Sequence, residues 1–433
     1  MFFMRYQSIV SSILMAAIIY LHLFSAGVLA QSRTDPVRIA MIEGLSGPLA
    51  AGGQSWLRNF RHAVEMLNAQ GGVRMRDPQG RIVQRPFQID TFDGKGQVED
   101  SLAMLRSVTN NRIPFVIQGA SSAVAGALIE AINKHNDRES DNRVLFLNYA
   151  AVATELTNEK CSPWHFRFDA HAAMRMHALT EVLKADRRVQ RVYLINQDYS
   201  FGRDVERLAR EQITLKRSDI QIVGSDLHPI GRVKDFTPYV SKMLVAQVDT
   251  VVTGNWGSDL ALLVKAAREA GLSARFYTFY GNSLGAPAAL GEAGVGRVRA
   301  VAEWHPNAGG KESDAYVDQF RARLENPRED TQYLRARILV EMLAQAIERA
   351  NSTEAAAVAK TLSGAQWKNG FHSALMRASD HQLQQPLYVS VMQTKGAEGV
   401  KYDAEQSGFG FKTERYLTAE QVTLPTSCRM KKW

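Results

Sequence analysis

From Val37 onward, short apolar runs alternate with longer segments whose apolar residues recur at helical spacing. The first runs, each long enough for one buried strand, are Val37–Ile42, Phe87–Phe92, Phe115–Gln118 and Val144–Asn148. A second series follows, with strands predicted at Val192–Asn196, Gln221–Leu227, Thr250–Thr253 and Phe276–Tyr280. Strands that alternate with helices form parallel sheets with right-handed crossovers. We therefore predict an α/β fold of two doubly wound parallel-sheet lobes, which a chain of 433 residues is long enough to build.

The stretch 115–124 illustrates how such a lobe forms a binding site. A buried strand runs through Gly119 into Ser121 and Ser122, and a helical pattern follows. Either serine is a suitable N-cap, and a helix start with free backbone N–H groups is a receptor for a carboxylate or another anion. The simpler interpretation is a capped turn without a ligand. We predict an anion-binding edge at this turn because other strand ends carry residues that suit a site.

Ligands of doubly wound sheets bind beyond the carboxyl ends of the strands. In the first lobe these ends are mostly small or hydroxyl-bearing, at Ala120, Ser121, Ser122, Tyr149, Ala150 and Val152. In the second lobe they are aromatic, at Tyr199, Phe201, Trp256 and Tyr280. Each ring is equally compatible with an ordinary core position. Together the two sets predict a small ligand held by hydrogen bonds on one wall and enclosed by rings on the other.

Residues 1–30 have the features of a signal peptide. Arg5 gives the positive region, Ile9–Phe24 the apolar region, and Val28–Ala30 the small-residue cleavage pattern. A membrane anchor is the alternative, but the apolar run is short and lacks a stop-transfer flank. We predict an exported, periplasmic protein whose signal peptide is removed near Ala30.

The predicted export bears on the redox state of the two cysteines of the chain, Cys161 and Cys428. In an oxidising compartment they can form one disulfide, which would tie the C-terminal tail to the first half of the chain. Two separate thiols are the alternative. Neither cysteine has a neighbour at metal-ligand spacing.

Composition and motifs argue against several other functions. The formal charge of +8 comes from scattered basic residues, not from a stripe interleaved with aromatics, so nucleic-acid binding is not expected. A metal site needs convergent ligands, which the spacing within one group of polar residues does not favour: His165, Asp169, His171 and His177. The sequence has no Gly-x-Ser-x-Gly, P-loop or dinucleotide motif, so we predict no enzyme activity, no metal and no cofactor.

Several short motifs, in the same order along the chain, resemble those of the periplasmic substrate-binding proteins of branched-chain amino-acid ABC transporters, the leucine/isoleucine/valine-binding type. They are Leu45–Pro48, Ala63–Glu65, Asn68–Gly72, Thr154–Thr157, Tyr199–Gly202 and Val264–Leu272. The resemblance implies a type I periplasmic binding protein fold, in which two lobes joined by a three-crossing hinge close on a ligand. Lobe one would comprise 31–168 and 305–376, and lobe two 169–304 and 377–433.

The resemblance also implies which residues contact the ligand: Ala120, Ser122, Ala150 and Val152 in lobe one, and Phe201, Trp256 and Tyr280 in lobe two. Two positions depart from the family pattern, since Val152 replaces a threonine and Tyr280 replaces an acid that faces the ligand's ammonium. A buried ammonium without a carboxylate is costly, so Asp198 or Glu43 would have to compensate. Gly52, in place of an aromatic residue, predicts a roomier cleft.

We therefore expect a monomeric periplasmic protein that captures a small amino acid or a related carboxylate or aromatic metabolite. It would deliver this ligand to an inner-membrane ABC permease. A sensor that presents its ligand to a receptor would need the same closure, so the sequence leaves this alternative open. An exported α/β enzyme is a third alternative, for which no nucleophile and base can be placed.

Overall fold

The structure, a computed structural model, describes residues 35–431, and the signal peptide predicted at 1–30 lies outside the described residues. Within that range the strands are, in chain order, β1 (Val37–Glu43), β2 (Val73–Arg76), β3 (Ile82–Arg85), β4 (Phe87–Asp93), β5 (Phe115–Gln118), β6 (Leu145–Asn148), β7 (His165–Arg167), β8 (Arg191–Gln197), β9 (Gln221–His228), β10 (Thr250–Thr253), β11 (Arg275–Thr278), β12 (Val298–Ala302), β13 (Gln366–Lys368), β14 (Ser373–Met376), β15 (Leu383–Gln384), β16 (Leu387–Thr394) and β17 (Phe409–Leu417). The helices are α1 (Ala50–Ala69), α2 (Val98–Asn110), α3 (Ser122–Arg138), α4 (Ala172–Ala185), α5 (Ser200–Lys216), α6 (Thr237–Val245), α7 (Ser258–Glu269), α8 (Ala286–Leu290), α9 (Lys311–Arg321), α10 (Leu334–Ala350), α11 (Ala355–Leu362) and α12 (Ala419–Val422).

The first sheet has the strand order β4-β1-β5-β6-β7, and all its pairings are parallel. From β1 the chain moves to β4 on one side and then to β5 on the other. A crevice therefore opens between the carboxyl ends of β1 and β5, where crossovers leave toward opposite faces. We call this edge, at Glu43 and Gly119, the first switch point.

The second sheet has the order β17-β16-β12-β11-β10-β8-β9. Strands β8 to β12 are parallel, whereas β16 and β17 are antiparallel additions at one edge. Here the chain moves from β8 to β9 on one side and then to β10 on the other. The carboxyl ends of β8 and β10, at Gln197 and Gly254, form the second switch point. The amide of Asn196 joins them, because its Oδ1 accepts from the Gly254 N–H at 2.7 Å.

Each sheet has its own hydrophobic core. Helices α1, α2, α3, α10 and α11 pack around the first sheet. On the second sheet, alternate residues of β8 point to opposite faces. Val192 and Leu194 pack with α4 and α5, and Tyr193 and Ile195 pack with α6 and α7. The α/β fold with two parallel-sheet lobes is therefore confirmed.

The buried residues show where the chain passes from one core to the other. Phe168 belongs to the first core and Ala170 to the second. The chain returns between Val301 and Trp304 and leaves again between Leu383 and Leu387. Apart from Val152 and Tyr402, each of which packs in the opposite core, three passages join the two cores in this way. Among residues 35–431, no helix combines the length and apolar character that a membrane span requires.

Some element bounds differ from the sequence-based expectations. The first apolar residue of helix α1 that gives a helical pattern in the sequence is Trp56, but the helix begins earlier, at Ala50, and includes Gly52 and Gly53. This early helix start requires glycine at position 53, because a Cβ there would clash with the carbonyl oxygen of Gly44 at 2.1 Å. The polar segment Arg74–Arg85 contributes most of a hairpin in which β2 pairs with β3. Because neither face of this hairpin is fully buried, its strands carry few apolar residues, and the sequence pattern is only a weak strand signal.

The C-terminal tail returns to the first half of the chain. Cys161 and Cys428 are joined in a disulfide. Next to it, Asn158 Oδ1 accepts from the Ser427 N–H at 2.9 Å and from the Thr426 hydroxyl at 3.2 Å. Near its end the tail is therefore held by one covalent bond and by polar contacts to the turn at Asn158, and Arg377 holds it further back through the Leu424 carbonyl at 2.7 Å.

Candidate functional site

A cleft with a volume of about 400 Å³ lies at the carboxyl ends of the strands of both sheets. Seven of the residues singled out from the sequence line it: Ala120, Ser122, Ala150, Val152, Phe201, Trp256 and Tyr280. Tyr199 lines it as well, and so does Gly52. Ser121 and Tyr149 do not line it. The two sequence-derived sets therefore meet at one cavity, with the small residues on one wall and the rings on the other.

The first switch point is filled by the protein's own carboxylate. Glu43 is 2% exposed, and its Oε2 accepts from the backbone N–H groups of Gly119 and Ala120 at 3.2 Å each. Tyr149 donates its hydroxyl hydrogen to the same oxygen, and the Gly44 N–H donates to Oε1 at 3.0 Å. The prediction that the Gly119–Ser122 turn offers free amides to a ligand is therefore wrong for Gly119 and Ala120. An internal anion occupies them.

Burial shapes the ionisation of this group. It raises the pKa of Glu43 above its ordinary value of 4.5, although the hydrogen bonds from Tyr149 and from the backbone act in the opposite direction. Burial and the Glu43 charge in turn raise the pKa of Tyr149. The pair is a closed internal unit, since Tyr149 is fully buried and packs against Trp56 with ring centroids 4.5 Å apart.

The two serines of the turn have different roles. Ser121 is the N-cap of α3, where its hydroxyl accepts from the Val124 N–H at 3.4 Å. Ser122 lines the cleft, and its hydroxyl accepts from the Ala153 N–H at 3.2 Å. The hydroxyl hydrogen of Ser122 is therefore the donor that this turn can offer to a ligand.

The wall from the second sheet is a group of packed rings. Trp256 donates its indole N–H to the hydroxyl of Tyr199 at 2.9 Å. Phe201 packs against Tyr199 and Tyr280, with ring centroids 5.9 Å apart in both pairs. Burial raises the pKa of Tyr280 to about 12, so its hydroxyl is protonated and available as a donor at neutral pH. This wall thus combines flat apolar faces with few polar groups, as expected for the enclosing side of a ligand pocket.

A buried network of charges forms the floor between the walls. Asp169 Oδ1 accepts from Arg175 Nη2 at 2.5 Å, and its other oxygen pairs with Arg335 Nη1. The same Arg335 nitrogen lies 3.4 Å from Glu303 Oε2. Two cations and two anions make the floor neutral. Although burial alone lowers the pKa of Arg335, Asp169 and Glu303 outweigh it and raise this pKa.

Several cleft residues were not identified from the sequence. Trp56 stacks on Tyr333, with ring centroids 3.9 Å apart, and the Arg335 guanidinium lies 5.1 Å from the Trp56 ring. Trp56 follows a glycine-rich segment after β1, which is a local signal that points to a site. Arg335 and Glu303 have no local signal, because Arg335 lies in the first turn of α10 and Glu303 in the second passage between the cores.

The polar group considered as a metal cluster is dispersed. Asp169 belongs to the floor, and His171 caps α4 by accepting from the Met174 N–H at 3.3 Å. His165 lies 3.2 Å from the Asn148 amide, and His177 lies 3.3 Å from the Lys216 ammonium. Within residues 35–431, no three histidine, cysteine or acidic side chains are placed to hold a metal ion.

Neither of the two acids considered as partners for a ligand ammonium is free. Glu43 is enclosed by its own donors, as described above. Asp198 is 44% exposed at its side chain and pairs with Arg203 at 2.7 Å. A carboxylate for such a ligand must therefore come from elsewhere in the cleft.

Comparisons with known proteins agree with this architecture. Residues 36–397 match the family model described as periplasmic binding protein. The Leu/Ile/Val-binding protein homolog 4 of Brucella melitensis is 32% identical over 418 residues, and the match covers 93% of this chain and 94% of that protein. The closed conformation of the leucine-, isoleucine-, valine-, threonine-, and alanine-binding protein from Brucella ovis is 29% identical with a TM-score of 0.78, covering 92% of this chain and 100% of that chain.

A more distant structure shows the same fold. The solute binding protein of an ABC transporter from Rhodopseudomonas palustris BisB5, in complex with 3,4-dihydroxy benzoic acid, is 14% identical with a TM-score of 0.73. That match covers 89% of this chain and 98% of the other. On the family match and the identity to the Brucella melitensis protein, the chain belongs to the periplasmic binding protein family.

Proposed function

We propose that this chain is a periplasmic solute-binding protein that closes on a small metabolite and delivers it to an inner-membrane ABC permease. The observation that carries the proposal is the cleft of about 400 Å³ at the ends of both sheets, where the small residues and the rings predicted from the sequence meet. A volume of this size suits an amino acid or an aromatic acid. We propose that the protein acts as a monomer in the periplasm.

The hinge follows from the passages between the cores. Lobe one would comprise 31–168 and 305–376, and lobe two 169–304 and 377–433. The core assignments support the first crossing at this position. They favour a second crossing just before Trp304 and a third after Leu383, since both residues pack with the first core. Closure would bring the rings of lobe two onto a ligand that already contacts lobe one.

The polar groups of the cleft support a ligand with an oxygen acceptor such as a carboxylate. Ser122 offers a hydroxyl hydrogen, and so does Tyr280. Arg335 lines the cleft, and its Nε has no hydrogen-bond partner among residues 35–431. These groups would give a bound carboxylate the donors that Gly119 and Ala120 cannot offer, because their N–H groups already donate to Glu43.

A thermal-shift screen of the mature protein tests the proposal. The set would contain amino acids, aromatic acids and amides, with Trp256→Ala as the variant expected to lose the response. A ligand at a hundred times its Kd stabilises the folded state by about 2.7 kcal/mol, which gives a clear rise in Tm. If no compound of these classes raised the Tm of the wild-type protein, the proposed function would be rejected.

A further inference from the structure

The second switch point contains a hydrogen-bonded pair of buried polar side chains. Gln197 ends β8, and Asp259 lies in the first turn of α7, which follows β10. The Gln197 amide donates to Asp259 Oδ2 at 2.7 Å, and the Gly231 N–H donates to the same oxygen at 2.9 Å. Both side chains line the cleft, and the two residues are only 2% and 1% exposed.

Asp259 differs from the other acids of the cleft in lacking a cation. Four acids line it: Asp259, Glu303, Asp330 and Asp403. Glu303 pairs with Arg335 at 3.4 Å, Asp330 with Arg321 at 2.5 Å, and Asp403 with Lys395 at 2.9 Å. In the part of the chain that the structure describes, Asp259 forms no ion pair. Two donors and the N-terminus of α7 stabilise this buried carboxylate in part, and a cation supplied from outside the chain would complete its compensation.

Two oxygen atoms of the pair also lack hydrogen-bond donors. Asp259 Oδ1 and Gln197 Oε1 are both buried without a partner within residues 35–431. A carboxylate can accept a hydrogen bond only from the NH2 group of an amide, so the bond to Asp259 Oδ2 fixes the orientation of the Gln197 amide. The same bond holds the two side chains together, so the two unpartnered oxygens belong to neighbouring side chains. An ammonium group carries three donors and a positive charge, and it matches both acceptors and the missing countercharge, whereas a hydroxyl offers one donor and no charge.

The rings beside the pair suit the same kind of group. The backbone carbonyl of Trp256 accepts from the Gln197 amide at 3.4 Å, and Asp259 is close enough to Tyr199 to contribute to its raised pKa, after burial and Tyr280. Faces of tryptophan and tyrosine attract cations through the ring quadrupole. Acceptors, an uncompensated charge and aromatic faces thus coincide at one strand-end crevice.

We propose that Asp259 and Gln197 form an amine-recognition subsite at the second switch point, so that the ligand of this protein carries an ammonium group. This inference rests on the proposed solute-binding function and specifies its ligand class. It also supplies the carboxylate that Tyr280 does not provide, from a different strand end. Asp259 and Gln197 are then specificity-determining residues that distinguish an amine from its deaminated analogue.

A purely structural role for Asp259 makes a different prediction. The carboxylate connects Gln197, Gly231 and α7, and it could serve only to hold these loops together. In that case removing its charge would lower stability and weaken every ligand to the same extent. Recognition of an amine instead requires that the loss fall on amine ligands.

The test is calorimetric titration of the full mature protein with pairs of probes that differ only by the amine. Suitable pairs are leucine and isocaproic acid, phenylalanine and hydrocinnamic acid, and γ-aminobutyrate and butyrate. For at least one pair the wild-type protein is expected to bind the amine at least about tenfold more tightly than its deaminated partner. Equal binding of both members would overturn the amine subsite while leaving the solute-binding function intact. If neither member of any pair bound while a compound without an amine raised the Tm in the thermal-shift screen, the subsite would be rejected and the solute-binding function would stand; if nothing bound in either experiment, both would be rejected.

The variant Asp259→Asn locates the preference. It is expected to reduce affinity for the amine probe at least about tenfold and to leave that of the deaminated probe within about twofold. Asp198→Asn, which removes an exposed acid just beyond Gln197, is the matched control and is expected to bind as the wild type does. Equal losses for both probes, together with a lower Tm, would show that Asp259 only holds the loops. The wild-type comparison needs no variant and stands even if Asp259→Asn does not fold.

Discussion

The two switch points occupy equivalent positions in their sheets but differ in how their polar groups are satisfied. At the first, Glu43 places a carboxylate against two backbone amides and the Tyr149 hydroxyl, so donors and acceptor are matched within the chain. At the second, Gln197 Oε1 and Asp259 Oδ1 have no donor among the residues that the structure describes. The Glu43 carboxylate is thus satisfied within the chain, although Gln118 Oε1 at the end of β5 also lacks a donor among residues 35–431, and in our proposal a ligand completes the Gln197–Asp259 pair. The order of the strands therefore determines where crevices form. The polar atoms that have no partner within the protein determine which crevice binds a ligand.

The charge balance of the cleft also favours the second switch point as the place where a ligand cation binds. The floor pairs Asp169 and Glu303 with Arg175 and Arg335 and has no net charge. A neutral floor does not by itself attract an ion of either sign. The carboxylate of Asp259 is thus the cleft acid that would respond to a ligand cation, and the Ser122 hydroxyl is the small-wall group that would respond to a ligand oxygen.

Removing the internal anion should have the largest effect on stability. Glu43→Ala leaves three backbone N–H groups and the Tyr149 hydroxyl buried without their acceptor, so we expect the free energy of unfolding to fall by about 3 kcal/mol or more. Denaturant unfolding measures this change. Glu130→Ala, which removes an exposed acid from α3, is the control and should have little effect.

The same variant can be tested by rescue. If the amides of the first switch point select an anion, acetate or formate should restore part of the stability that Glu43→Ala loses, and chloride at equal ionic strength should restore less. A Glu43→Ala protein as stable as the wild type would show that the first crevice is not held by its carboxylate.

Removing a ring from the second wall should weaken ligand binding more than folding. Trp256→Ala removes the indole face that contacts the ligand. That face buries roughly 80 Å² of apolar surface, and each Å² contributes about 25 cal/mol to binding. We therefore expect an affinity loss of about 2 kcal/mol, or roughly thirtyfold, by calorimetry with the tightest ligand of the screen. Tyr416→Ala removes a ring that is 47% exposed outside the cleft, and its affinity should match the wild type. Equal losses in both variants would contradict a ring wall specific to the cleft.

The fold and both walls were predictable because their signals are local. Strands β5 and β10 have the predicted bounds, since each is a short apolar run ended by glycine. The aromatic residues of the second wall follow strand ends directly in the sequence. The lining by Ser122 and Trp256 therefore required no knowledge of which strands are neighbours.

The partners of these residues were not predictable, because they depend on strand order. Glu43 reaches Gly119 only because β1 lies beside β5, and Gln197 reaches Asp259 only because β8 lies beside β10. Neither neighbour relation follows the order of the chain. Arg335 reaches the floor from a helix whose sequence is an ordinary amphipathic pattern. Local patterns thus identified the walls, while the satisfied and unsatisfied hydrogen bonds required the tertiary structure.

The raised pKa of Glu43 predicts a specific pH dependence. A carboxyl group whose folded-state pKa exceeds its unfolded value binds more protons when folded, so its contribution to stability decreases as the pH rises from about 4.5 to the raised value. One such group contributes at most about 1.4 kcal/mol per pH unit. Unfolding free energies of the wild type and Glu43→Gln, measured across this range, should therefore differ in slope, with the wild type falling more steeply. Parallel curves would show that the Glu43 pKa is not raised.

The neighbouring serines should give the smallest effects and separate folding from binding. Ser122→Ala removes the hydroxyl that lines the cleft, and we expect affinity to fall about fivefold, or about 1 kcal/mol. Ser121→Ala removes the N-cap of α3, and we expect stability to fall by about 1 kcal/mol with affinity unchanged. Calorimetry and denaturant unfolding of both variants measure the two effects. An affinity loss confined to Ser121→Ala would reverse the roles given to the two hydroxyls.

The most direct measurement is a crystal structure of the mature protein with the amine that binds most tightly in the paired titrations. The ligand nitrogen should lie about 2.7–3.2 Å from Gln197 Oε1 and from the Asp259 carboxylate, with Glu43 still held by Gly119, Ala120 and Tyr149. The account would be contradicted if the nitrogen lay against Glu43 or Glu303 instead, and Gln197 Oε1 and Asp259 Oδ1 remained without a donor.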